Sequence, residues 1–184
     1  MNSKKILYIF LFLLFALILF FFFRRNENSS KTSSNKSTTQ VKPLQTQSIN
    51  REFSFPLNNG VEDVAEIKFE VTDVELTDEI IVQGQKATAI AGRDFLIINL
   101  KITNEYEKAI EMSTRDYIRL LVNDNQEEKL APEIHNDPVE IQAISTKHTR
   151  VGFPINESWE SLSLLVGQIK EEKEQIKLFD EEEK

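Results

Sequence analysis

The chain contains no cysteine. No disulfide can brace a fold, no thiol can act as a nucleophile or metal ligand, and no lipid-modified cysteine can follow a leader. Histidine is nearly absent too, with only His135 and His148. Nucleophile-plus-base schemes therefore have few players. The G-x-S-x-G, H-E-x-x-H, P-loop and G-x-G-x-x-G patterns are all missing. The reading is of a non-enzyme without a cofactor.

What the chain does have is one long apolar run. Residues 6–23 carry no charge, with Lys4 and Lys5 before them and Arg24 and Arg25 after. As a helix these 18 residues reach roughly 27 Å, close to the hydrocarbon thickness of a bilayer. No Ala-x-Ala pattern comes after Phe20-Phe21-Phe22-Phe23. Residues 1–25 therefore read as an uncleaved signal anchor and membrane span, with a cleaved signal as the alternative. The run has no glycine and a single Ala16, so it offers no small-residue face for pairing with another helix. Arg24, Arg25, Lys31, Lys36 and Lys42 lie beyond the span, and that charge count favours a cytoplasmic C-terminal side. Against the count, the short N-terminal tail and the envelope-module character of the C-terminal part favour a single-pass cell-membrane protein with its C-terminal domain extracytoplasmic.

Residues 26–50 change character. Of these 25 residues 17 are Ser, Thr, Asn or Gln, a flexible linker by composition. Residues 51–184 are globular in composition. They hold 15 Lys/Arg and 29 Asp/Glu, a net charge of −14. Nucleic acid and anionic headgroups are poor partners for such a surface.

Period two dominates this domain. Ile67, Phe69 and Val71 alternate with polar residues, then the phase slips to Val74 and Leu76, which predicts a β-bulge. Leu96, Ile98, Leu100 and Ile102 predict one buried face of a central strand. Residues 117–122, 139–144, 150–155 and 161–166 add short strands between Asn-rich turns. Residues 80–93 predict an edge or a long hairpin. Lys170-Glu171-Glu172-Lys173 separates two apolar alternations and predicts a closing hairpin, with residues 174–179 as the last strand and 180–184 as an acidic tail. Seven or eight short strands without a long helical pattern predict a β-sandwich.

Residues 92–104 (GRDFLIINLKITN) and 108–112 (KAIEM), then 117–120 (YIRL) and 149–155 (TRVGFPI), resemble a bacterial family of telokin-like, immunoglobulin-like extracytoplasmic domains of unknown function. The resemblance covers residues 65–179. It departs at Ser145-Thr146-Lys147-His148, where that family usually has Pro-Gly, and in the absence of the family's lipoprotein cysteine. It implies an immunoglobulin-like sandwich, secreted or membrane-anchored, with no shared catalytic residues.

Few residues are candidates for a site. Glu133, His135 and Asp137 alternate between Pro132 and Pro138, and in an extended segment they would share a face suited to Zn²⁺ or Mn²⁺. In so acidic a domain the plainer reading is coincidence. Asp124, Asn125, Glu127 and Glu128 lack the spacing of a calcium loop and read as a polar turn. Trp159, flanked by acids, is a candidate contact residue, with core packing the favoured role. The expected function is a membrane-tethered, non-catalytic binding or protein-interaction module of a bacterial cell envelope. The alternatives are an accessory or sensor subunit of a membrane complex and, more distantly, a metal-binding envelope protein.

Overall fold

A computed structural model describes residues 41–58 and 62–179. The expected span at 6–23, the linker up to residue 40 and the acidic tail at 180–184 lie outside the described residues. Among the described residues no helix is long and apolar enough to cross a membrane.

The first strand is β1, Gln45–Asn58. The linker reading, which runs to residue 50, is therefore corrected: its last six residues are sheet. Polar Gln45 to Ser48 pair with Leu76 to Asp73 of β2, Asp63–Thr77. Backbone hydrogen bonding recruits this segment although its side chains carry little apolar signal.

Beyond these come β3 (Glu79–Val82), β4 (Gln85–Thr88), β5 (Arg93–Asn104), β6 (Ile110–Met112) and β7 (Ile118–Val122). Then come β8 (Val139–Ile141), β9 (Ser145–Asn156), β10 (Leu162–Val166) and β11 (Glu174–Leu178). A single helical turn, α1 (Thr114–Tyr117), precedes β7. Eleven strands among the described residues exceed the seven or eight expected. β3 and β4 form the hairpin expected around residues 80–93, and the strands not expected are β1, polar in its first residues, and the three-residue β6, too brief for a period to register.

One sheet has the order β1-β2-β5-β9 and the other β11-β10-β7, with β3-β4 and β6-β8 as separate pairs. Every pairing is antiparallel. A single core cluster draws on both sheets, so the described residues form an all-β sandwich. Leu96, Ile98, Leu100 and Ile102 of β5 are buried as the alternation predicts. The phase slip in β2 is also present. The register shifts between Val71 and Asp73, and the Thr72 hydroxyl donates to the Asn99 carbonyl at 3.2 Å. β1 shifts opposite it, between Ser48 and Arg51, with Asn50 left-handed at φ 49°.

Aromatic rings close each end. Tyr117 lies 4.8 Å from Phe55 and 5.9 Å from Phe69, joining the two sheets beside the Val166 end of β10. At the Leu162 end, Trp159 packs 6.2 Å from Phe179.

Asn104 ends β5 and is wholly buried. Its Nδ2 donates to the carbonyls of Lys108 (2.9 Å), Gln142 (3.0 Å) and Ile141 (3.3 Å), and its Oδ1 accepts from the Tyr106 amide at 3.0 Å. Asn104→Ala strands those carbonyls and should cost about 2–3 kcal/mol in chemical denaturation, since each buried polar group left unmade costs about 1–3 kcal/mol. Alanine at the neighbouring exposed Glu105 serves as the silent control.

Lys173 locks the β10–β11 hairpin onto the start of β7. Its ammonium donates to the carbonyls of Gln168 (3.0 Å), Asp116 (3.3 Å) and Tyr117 (3.4 Å), and also to that of Gly167. Burial outweighs these acceptors and, with the Arg119 charge, pulls its pKa from 10.5 down to about 8. In the unfolded chain the amine keeps its proton up to its ordinary value. Between pH 8 and 10.5 the unfolded state therefore binds more protons, and stability from this group rises with pH. Denaturation midpoints should climb across that window in the wild type relative to Lys173→Met. Parallel curves would show that Lys173 titrates normally.

Candidate functional site

Of the three side chains picked from sequence as metal ligands, His135 and Asp137 meet, with Nδ1 3.5 Å from Oδ2, but the three do not converge on one point. Asp137 is the buried one. Its Oδ1 accepts from the Thr114 amide at 2.8 Å and the Thr114 hydroxyl at 2.6 Å, and its Oδ2 accepts from the Arg115 amide at 2.9 Å. Ser113 at the N-cap of α1 makes no side-chain cap bond, so Asp137 caps that turn from a distant part of the chain. His135 lies beside it, with Nδ1 accepting from the Asp137 amide at 3.2 Å and Nε2 3.2 Å from Arg115 Nη1. Glu133 takes part through its backbone, donating to the Gly152 carbonyl at 3.0 Å. Among the described residues no group of three or more His, Asp or Glu side chains is placed to hold a metal ion.

The calcium-loop candidate is a turn. Asn123 and Asp124 are both left-handed, at φ 54° and 53°. The Asn123 side-chain oxygen accepts from the amides of Glu160 (2.7 Å) and Ser161 (3.2 Å). Trp159 is 6% exposed and belongs to the core, so it presents no contact surface.

The feature the sequence reading missed is an open sheet edge. β9 is the last strand of its sheet and pairs with β5 along its whole length. On its other side, among the described residues, backbone partners reach Gly152 alone: its amide donates to the Ile134 carbonyl at 2.7 Å, and its carbonyl accepts from the Glu133 and Ile134 amides. The Pro154 carbonyl further along accepts from the Arg93 guanidinium at 2.9 Å. The same crossing segment bonds Leu130 to Leu120 of β7, and so stitches one sheet to the other. Gly152 permits this close approach. A Cβ there would come within 2.7 Å of Ile97 Cδ1 and 3.3 Å of Ile134.

In an antiparallel strand, alternate residues turn both backbone groups to the same neighbour. Thr146, His148 and Arg150 share Gly152's phase, so their amides and carbonyls point away from β5. Among the described residues no backbone hydrogen bond reaches those groups. Pro154 has this phase too, so its missing amide costs no ladder bond.

A groove of about 860 Å³ runs along this edge, between residues 145–150 and the facing Pro138, Glu140 and Gln142. A second hollow of about 430 Å³ lies on the other side of Arg150, bounded by Ile81, Glu133 and His135. The Arg150 guanidinium donates to the Ile81 carbonyl at 2.5 Å. Lys147 is exposed and makes no ion pair among the described residues. Cationic side chains thus gather on an otherwise acidic domain. The local signal in sequence was Thr146-Lys147-His148-Thr149-Arg150, polar through a strand whose second half, from Val151 to Ile155, is largely buried.

No family model and no curated protein matches the chain. Solved structures do resemble it. A conserved hypothetical protein from Bacillus anthracis shares 14% identity over 74% of this chain and 99% of its own, with a TM-score of 0.52. An uncharacterized β-sandwich protein from Clostridium difficile shares 12% identity over 76% of this chain and 100% of its own, with a TM-score of 0.49. At such identity the Bacillus likeness shows the fold alone.

Asp137→Ala should lower stability by about 1–2 kcal/mol, the usual cost of a lost helix cap. Alanine at Glu133 should change the melting temperature little, and Zn²⁺ should shift neither variant nor wild type. A Zn²⁺-dependent rise lost equally in all three alanine variants, at Glu133, His135 and Asp137, would make them a metal site instead.

Proposed function

We propose that this chain is a membrane-tethered, non-catalytic interaction module of a bacterial cell envelope, with an immunoglobulin-like, telokin-like sandwich held on the extracytoplasmic side. The observation that carries this reading is the uncharged run at residues 6–23 bracketed by basic pairs, joined by a polar stretch to a separately built domain. Charge at the centre of that run costs about 2.5–3.5 kcal/mol per residue on insertion scales, so an uncharged run of this length favours the bilayer. Sandwich domains present edges and loops to partners. The open β9 edge supplies the surface for contact.

Fractionation of cells producing the full chain tests it. The protein should sediment with membranes and need detergent for extraction. The double replacement Leu13→Arg and Leu14→Arg should release it. Protease added outside spheroplasts should remove the domain. A domain digested only after lysis would reverse the orientation, and a soluble wild type would remove the anchor.

A further inference from the structure

We infer that the open half of β9 binds an extended acidic peptide segment of another protein by strand addition, a partner assignment that rests on the interaction-module reading above. The backbone argument comes first. Thr146, His148 and Arg150 offer three amides and three carbonyls in strand phase, free of backbone partners among the described residues. That is the pattern an added strand needs. The crossing segment at Ile134 already uses the next position of the same edge, at Gly152, in the same antiparallel sense. A docked peptide would extend a pairing that the chain itself begins.

Charge then selects the occupant. The outer face of β9 carries His148 and Arg150 two residues apart, opposite Lys101 and Asn99 of β5, and Lys147 lies on the other face. An added strand places its own alternate residues beside His148 and Arg150. Carboxylates two residues apart in the peptide would lie next to them. A second copy pairing β9 to β9 would instead bring two sets of Lys147 and Arg150 cations to one seam, which is unfavourable. Among the described residues the acid facing the edge across the groove is Glu140, and its carboxylate accepts from Gln142 at 2.6 Å. Apolar side chains flank the stretch: exposed Ile144 at its start, and exposed Val82 beyond Arg150 in the adjoining hollow. The recognised segment is therefore short and extended, with alternating carboxylates and apolar ends.

The test uses the full chain in detergent micelles, read by backbone-amide NMR. The probe is a blocked peptide with two glutamates separated by one valine and valine or threonine at the ends. Its twin carries lysines in place of the glutamates. The glutamate peptide should slow amide exchange at Thr146, His148 and Arg150 by about tenfold when saturating, the equivalent of about 1.4 kcal/mol. The lysine peptide should not. His148→Pro removes an outward amide while leaving the β5 ladder intact, as Pro154 does, and should abolish binding with β5 amides unshifted. Thr146→Pro repeats that arm should His148→Pro fail to fold, and the contrast between the two peptides on the wild type decides it should both fail. Binding that survives in either folded proline variant would overturn the proposal. Edge amides protected without peptide would overturn it too, whether through a second copy or a segment of the same chain. A chain found soluble in fractionation would sink the tethering and leave the peptide result standing. A wild type that ignores both peptides would sink the edge assignment alone.

Discussion

The buried side chain of Asn104 fixes the corner from which the rest of the sandwich is hung. It ends the central strand, and its hydrogen bonds hold the Tyr106–Lys108 loop on one side and the carbonyls of Ile141 and Gln142 on the other. Ser145, the first residue of β9, pairs with Asn104 in register. The turn from β8 into β9 can therefore start at one place only. Period two does the remainder, because a slip of one residue would carry Val151, Phe153 and Ile155 out of the core. One satisfied amide thus sets the register of the strand that carries the candidate surface. The cost of burying it is met by making all of its bonds.

The second constraint is how the sandwich closes. Residues 130–134 bond first to β7 and then to β9, so they pass from one sheet to the other. So short a segment can cover only a short length of edge. It covers β9 at Gly152, where the missing side chain admits Ile134 against Ile97. Toward Ser145 the edge stays open. The same segment continues to Asp137, which caps α1 and holds Tyr117 near Phe55 and Phe69. Glu133, His135 and Asp137 are thus spaced by a bridging path, and each does something different along it.

The legible parts of this fold were those where burial and period coincide. The face of β5 from Leu96 to Ile102, the bulge at Thr72 and the hairpin around Lys173 each leave a mark that alternation detects. β1 leaves none before Ile49, since Gln45 to Ser48 are recruited by β2's backbone and expose half their side chains. Asp137 misled because residue type and spacing cannot tell a ligand from a cap; only its distance to Thr114 does. Trp159 was readable as packing, although nothing local announces Phe179 as its partner. Of the open edge only the polar run from Thr146 to Arg150 was legible, not its lack of a neighbour. Which neighbour a strand lacks is a property of topology, and Thr146 to Arg150 have the same letters whether paired or free.

The charge on that edge has two consequences of the same physics. An unpaired strand in a soluble domain is a template for self-association, and cationic side chains are a common guard against it. The guard works because like charges oppose a second β9. It does not oppose an acidic strand, which the same charges attract. A net charge of −14 over residues 51–184 sharpens the contrast, since an acidic surface repels acidic partners and this edge draws them. Within about one Debye length, roughly 8 Å at physiological salt, the local cations decide the encounter. A residue pattern that keeps copies of this domain apart is, without further change, a pattern that selects an acidic guest.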